Sequence, residues 1–91
     1  MTTAARRAVV RGRVQGVGYR AFALRAARET GVCGWVRNLP DGSVETCCEG
    51  DPEAVRRYLE RLRRGPLIGR VTELAEEESA PQGFESFEIT G

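Results

Sequence analysis

Gly12, Gly16 and Gly18 precede an arginine, Arg20, and the last two glycines fall in the run Gln15-Gly16-Val17-Gly18-Tyr19-Arg20, where a strand-like stretch gives way to a helix-like one. Loop amides freed by glycine, together with the unpaired N–H groups and positive dipole end of a following helix, make a concave donor surface for one phosphate-sized anion. Arg20 would add a guanidinium fork that can bond two phosphoryl oxygens at once. Neither the Gly-Lys-Ser/Thr of a nucleotide-binding P-loop nor a dinucleotide GxGxxG is present. The same residues also describe a plain glycine-rich turn carrying an exposed arginine, and loop chemistry alone leaves both readings open.

The surrounding elements must hold this loop in place. Ala8, Val10, Gly12 and Val14 alternate with Val9, Arg11 and Arg13, a period of two that predicts a strand with one covered face. Ala21 to Glu29 is rich in helix formers and is followed by Gly31 as a C-cap. Val32 to Arg37 reads as a second strand, Pro40-Asp41-Gly42 as a hairpin turn and Ser43 to Glu49 as a third strand. Asp51 and Pro52 open a second helix whose Val55, Tyr58, Leu59 and Leu62 share one face, and Gly65-Pro66 closes it. Leu67 to Ser79 predicts a fourth strand, with Val71 and Leu74 breaking the alternation as a bulge would. A Pro81-Gln82-Gly83 turn and a short strand from Phe84 to Ile89 follow.

This β-α-β-β-α-β order predicts an α+β, ferredoxin-like two-layer sandwich: an antiparallel sheet with two helices on one face, a short extra strand, and a single domain over 1–91. In the usual sheet order 4-1-3-2, strands 1 and 2 run parallel with strand 3 between them, so their C-terminal ends lie about 10 Å apart. Asn38 closes the second strand at that edge, within reach of Arg20 plus a small ligand. Alone, it would equally serve as a turn residue bonding its own backbone.

Composition narrows the chemistry. Fourteen arginines against thirteen carboxylates leave a net charge of +1, too balanced for the broad field that holds long nucleic acids, so an anion site must be local. The absence of histidine removes the ordinary neutral-pH acid/base and every Ser-His or Cys-His arrangement. Cys33, Cys47 and Cys48 form no CxxC pair, which argues against a zinc site or disulfide framework and suits reduced thiols in a cytoplasm. A Cys-x5-Arg phosphatase loop fails on spacing, because Leu39, Glu53 and Ala54 stand where the arginine would be needed. No apolar run approaches the roughly 20 residues of a membrane span, and Met1 to Ala8 lacks a signal-peptide core. Arg56, Arg57, Arg61, Arg63 and Arg64 lie opposite an apolar stripe and read as a solvated face. Phe22 and Trp35 read as core packing, and Asp41 and Glu45 as turn and solvent-face residues.

Gly12-Arg-Val-Gln-Gly-Val-Gly-Tyr-Arg20, Gly34-Trp-Val-Arg-Asn38-Leu-Pro-Asp-Gly42, Glu49-Gly-Asp51, Gly65-Pro66 and Phe87-Glu-Ile89 together resemble the acylphosphatase family over nearly the whole length. The resemblance implies a ferredoxin-like fold and hydrolysis of carboxyl-phosphate mixed anhydrides without metal or cofactor. It implies that Gln15, Gly16, Val17, Gly18, Tyr19 and Arg20 bind the phosphate, that Arg20 is the catalytic phosphate-binding residue and that Asn38 holds the attacking water. Tyr19 stands where many members have Phe. A small-molecule acyl phosphate would be the substrate, with no nucleic-acid or membrane partner, for a monomer in the cytoplasm.

That chemistry is feasible without histidine. A carboxylate leaving group has a conjugate acid near pKa ~4 and departs unprotonated at neutral pH. What remains is charge stabilisation and in-line placement of water. The alternative is a non-catalytic module on the same fold. RNA-recognition motifs read bases with aromatics on strands 1 and 3, and neither strand has any here. An anion sensor would use the same loop but has no need of a water-orienting amide at Asn38. A segment like that of hydrogenase-maturation carbamoyltransferases is a third possibility.

Overall fold

The structure, a computed structural model, describes residues 3–91. The chain forms β1 (Ala4–Arg13), α1 (Tyr19–Thr30), β2 (Cys33–Asn38), β3 (Val44–Gly50), α2 (Pro52–Arg64), β4 (Arg70–Glu78) and β5 (Phe87–Ile89). Strand order is β4-β1-β3-β2-β5. The first four strands pair antiparallel, and β1 and β2 therefore run in the same direction on either side of β3. β5 corrects the expectation of a wholly antiparallel sheet, since it pairs parallel to β2 with Gly34 opposite Phe87 and Val36 opposite Ile89. The buried Glu49 carboxylate sets this up by accepting the Gln82 and Phe84 amides, both at 2.7 Å. It thereby carries the connection from β4 across the far end of the sheet.

Both helices cover one face. Ala23, Ala26 and Ala27 of α1 are buried, and their small side chains let the helix sit close to the sheet. α2 begins as its sequence predicts: the Asp51 carboxylate accepts the Glu53 amide at 3.0 Å, Pro52 follows, and Val55, Tyr58, Leu59 and Leu62 are buried. With Ala8, Val10, Val14, Val36, Val44, Cys48 and Phe87 they make one core.

Several element boundaries and the placements of Trp35 and Glu45 differ from expectation. β1 starts at Ala4 rather than Ala8, because residues that break the alternation still find partners: Ala4 faces Gly50, and Arg6 faces Glu78. α1 begins at Tyr19, two residues early. β4 begins only at Arg70, leaving Leu67 and Ile68 exposed in the preceding loop. Phe84 spends its amide on Glu49, so β5 is cut to three residues. The bulge is real: Arg11 faces Glu73 while Gly12 faces Val71, which leaves Thr72 as the extra residue. Gly12 is required there, since a Cβ would lie 2.2 Å from the Arg70 carbonyl oxygen.

Phe22 packs against the core, but Trp35 does not join it. Trp35 is half-buried on the helix-free face, with the Arg37 guanidinium 5.0 Å from its ring centroid. Beside it the Glu45 side chain is only 5% exposed, held between Arg7 and Arg37, with Arg37 Nε at 2.7 Å. Glu45 is thus a buried, doubly paired carboxylate rather than a solvent-face residue. Among the described residues, no helix is long and apolar enough to cross a membrane.

Candidate functional site

The parallel run of β1 and β2 brings two segments to one edge of the sheet: the loop from Val14 to Gly18 that enters α1, and Asn38 at the end of β2. Gly16 and Gly18 adopt φ of 75° and 77°. A Cβ at either would meet nothing within 4 Å, so glycine serves the backbone angle and not a lack of room. Alternating left-handed positions turn successive loop amides toward one concavity. The first helical bond joins the Phe22 amide to the Gly18 carbonyl at 3.0 Å. The Tyr19, Arg20 and Ala21 amides precede it and have no helical acceptor. No side chain caps this end, and its first turn holds no acidic residue, so the positive end of the helix dipole stays uncompensated.

A cleft of about 250 Å³ opens here, lined by Gln15, Gly16 and Gly18 from the loop, Tyr19, Arg20 and Ala21 from the first turn of α1, Asn38 from β2 and Ile89 from β5. It is smaller than the roughly 300–1,000 Å³ of drug-sized sites and suits a phosphoryl group with a small appendage. Arg20 is half-buried and takes part in none of the ion pairs among the described residues. Asn38 Oδ1 is buried without a hydrogen-bond partner, and among the described residues no other buried side-chain nitrogen or oxygen is left so. A buried acceptor in that state costs free energy unless something donates to it. Arg20, the free amides at the start of α1 and Asn38 with its unpartnered acceptor thus border a single small cleft.

The expected phosphate-binding run divides in its side chains. Gly16, Gly18 and Arg20 line the cleft as expected. Gln15 also borders it, but its Nε2 donates to the Leu39 and Ser43 carbonyls at 2.8 and 2.9 Å. Val17 leans on the loop before β4, where a Cβ on Gly69 would lie 3.2 Å from its Cγ2. The Tyr19 hydroxyl points into the core and donates to the Leu62 carbonyl, and burial pushes its pKa above the ordinary phenol value. From Val17 and Tyr19, therefore, only the main chain is free to meet an anion. Sequence reasoning missed the wall residues Val14, Ala21 and Ile89, the last 41% exposed and the one most distant in sequence. A three-residue strand carries no signal of its neighbour or register.

A larger groove of about 450 Å³ lies between α2 and the β1–β4 edge, but its Arg56 and Arg63 are each already paired with a glutamate. The described residues hold no cluster of three or more His, Cys, Asp or Glu side chains placed to ligate a metal ion.

Residues 6–89 match the acylphosphatase family model. The chain is 55% identical over 82 residues to the acylphosphatase of Methylococcus capsulatus, covering 89% of each. The crystal structure of acylphosphatase from Bacillus subtilis matches with a TM-score of 0.94 at 35% identity, covering 99% of this chain and 100% of that one. A HypF structure from T. kodakarensis matches with a TM-score of 0.84 at 33% identity, and there the likeness spans 99% of this chain but 12% of that one.

Proposed function

This chain belongs to the acylphosphatase family and hydrolyses acyl phosphates to a carboxylate and inorganic phosphate, and we propose that it does so by in-line attack of a water held by Asn38 on a phosphoryl group held by the Gln15–Arg20 loop. The free amides at the start of α1 and the Arg20 guanidinium receive the phosphoryl oxygens. Their positive charge stabilises the charge spread over the equatorial oxygens in the transition state. The water oxygen bonds to phosphorus, the bond from phosphorus to the acyl oxygen breaks, and the carboxylate leaves with the electron pair. It needs no proton, because its conjugate acid has a pKa near ~4. The water's proton passes to a phosphoryl oxygen late in the step. Arg20 and the amides supply the charge that a metal ion would otherwise bring, so the reading requires no metal or cofactor.

The observation that carries this reading is that Arg20 of α1 and Asn38 of β2 line the same small cleft, with Asn38 Oδ1 left without a partner in the protein. A side-chain amide on that wall can hold a water with its lone pair toward phosphorus, whereas an anion sensor would gain nothing from it. The reading takes residues 1–91 as one domain acting as a monomer on a small acyl phosphate, without nucleic acid or membrane. The net charge of +1 supports that, and the free Cys33, Cys47 and Cys48 suit a reducing cytoplasm.

Benzoyl phosphate hydrolysis by Arg20→Gln and Asn38→Ala, with chelator present, tests it. Asn38→Ala should lose on the order of 10²-fold or more in kcat while still binding inorganic phosphate, and Arg20→Gln should lose both activity and phosphate binding. Full activity in either variant removes that residue from its role. Undiminished phosphate binding by a wild type that hydrolyses nothing would favour the sensor.

A further inference from the structure

We propose that Gln15 is a positioning residue that acts through Asn38, fixing the separation between the water-holding amide and the phosphate loop, and that its side chain does not bind phosphate. The proposal rests on the reading of Asn38 and Arg20 above and deepens it.

A glutamine amide nitrogen has two hydrogens, and here both have acceptors: the Leu39 carbonyl at 2.8 Å and the Ser43 carbonyl at 2.9 Å. Both partners are acceptors, which fixes the orientation of the amide. Its remaining atom, Oε1, is an acceptor and can make no hydrogen bond to a fully ionised phosphoryl group, whose oxygens only accept. Although Gln15 borders the cleft, its side chain therefore has no donor left for an anion.

The two carbonyls lie at the mouth of the β2–β3 hairpin. Leu39 directly follows Asn38, its amide donates to the Ser43 carbonyl at 2.8 Å, and its carbonyl accepts the Gly42 amide at 3.2 Å. Gln15 thus grips the point where β2 turns, one residue beyond the proposed water-holding side chain. No backbone ladder could do this work, because β3 lies between β1 and β2. Among the described residues, these are the only side-chain hydrogen bonds from the Val14–Gly18 loop to the hairpin. A misplacement of about 1 Å between reacting groups can cost on the order of 10²-fold in rate, so a strut between the two halves of the site is a kinetic device as well as a stabilising one.

The test combines Gln15→Met, which keeps length without donors, and Gln15→Glu, which offers carbonyls only a carboxylate, each with and without Asn38→Ala. In both single variants kcat for benzoyl phosphate should fall on the order of tenfold or more, with KM and inhibition by inorganic phosphate within about twofold of wild type. In the Asn38→Ala background the same changes should cost almost nothing further, because the residue being positioned is gone. Weakened inhibition by phosphate, or a Gln15 effect that persists in full beside Asn38→Ala, would show direct phosphate binding and overturn the proposal. A lowered Tm with unchanged kcat would reduce Gln15 to a structural role and overturn it too. Full activity in Asn38→Ala itself overturns the underlying reading together with this proposal, whereas loss there with normal kcat in both Gln15 variants overturns this proposal alone.

Discussion

The Tyr19 hydroxyl donates to the Leu62 carbonyl at 2.7 Å within the core, so the residue that opens α1 also closes the last turn of α2. The final carbonyls of a helix have no helical donor, and a buried one must be satisfied from outside. Tyr19→Phe keeps the ring and removes the donor. It should lower unfolding free energy by about 1–3 kcal/mol, read as a reduced urea midpoint at unchanged m-value.

Gly16 and Gly18 are held in a left-handed conformation with open space around the missing side chains. Alanine at either would meet no clash, only backbone strain of roughly 1–2 kcal/mol. If the loop relaxes to relieve that strain, its amides no longer converge. Each substitution should therefore weaken inhibition by inorganic phosphate more than it lowers Tm, and inhibition constants matching wild type would count against an amide site.

A cleft whose Tyr19 hydroxyl is buried away, and whose other side chains include no histidine or carboxylate, offers no proton to a leaving group. A carboxylate does not need one, but a phosphomonoester's alkoxide or phenoxide does. Positioned acids contribute about 10²–10⁴-fold to such reactions. Benzoyl phosphate should be turned over at least ~10²-fold faster than phenyl phosphate, whose leaving phenol has a pKa of about 10, under identical conditions, and comparable rates would contradict the mechanism.

The β2–β3 turn has its own pH dependence. Asp41 Oδ1 accepts the Ser43 amide at 3.0 Å and the Ser43 hydroxyl, and Oδ2 accepts from Arg11 Nη1 at 3.0 Å. These bonds, the serine hydroxyl's first, hold the carboxyl down to about 2 from an ordinary 3.8. A carboxyl depressed in the folded state contributes stability that is complete above its unfolded pKa and is lost as pH falls toward the folded one. The stability difference between wild type and Asp41→Asn should be flat above about pH 5, shrink below about pH 4 and vanish only toward about pH 1. Urea titrations at a series of pH values read it directly, and a difference that stays undiminished from pH 5 down to pH 2 would exclude the cause given.

Burial pushes the Cys48 thiol up to about 12, and burial first, then the Glu45 charge, raises Cys47 as well. Both stay protonated at neutral pH and should react with iodoacetamide only on unfolding. Brief alkylation of the native protein should leave activity intact, with mass spectrometry showing Cys47 and Cys48 unmodified. Rapid loss of activity on labelling either would revive a thiol role.

What could be read from the sequence follows from how local each cause is. α2 was legible because its cap, its N1 proline and its stripe from Val55 to Leu62 all act within a few residues. The glycine pair and Arg20 were legible for the same reason. Asn38 became a candidate only through a topological rule that placed two strand ends side by side, and the observed strand order obeys it. Ile89 was hidden, because the position of β5 depends on the Glu49 carboxylate catching amides 33 and 35 residues away. Trp35 was misplaced by the assumption that a lone aromatic on a strand belongs to the core. One face of this sheet has no helices, and an aromatic there can shelter under an arginine instead. Gln15 lies at the cleft as expected, but its bonds to Leu39 and Ser43 were hidden, since nothing in its neighbours betrays a bond to a hairpin more than twenty residues on.

The cleft draws its walls from Val14 at one extreme and Ile89 at the other. A nascent polypeptide on the ribosome therefore has its glycine-rich loop and its Asn38 amide long before it has the pocket, and residues emerging after α2 decide when the enclosure is finished. A product of premature termination upstream of β5 would carry every chemical group invoked above and still lack one side of the chamber.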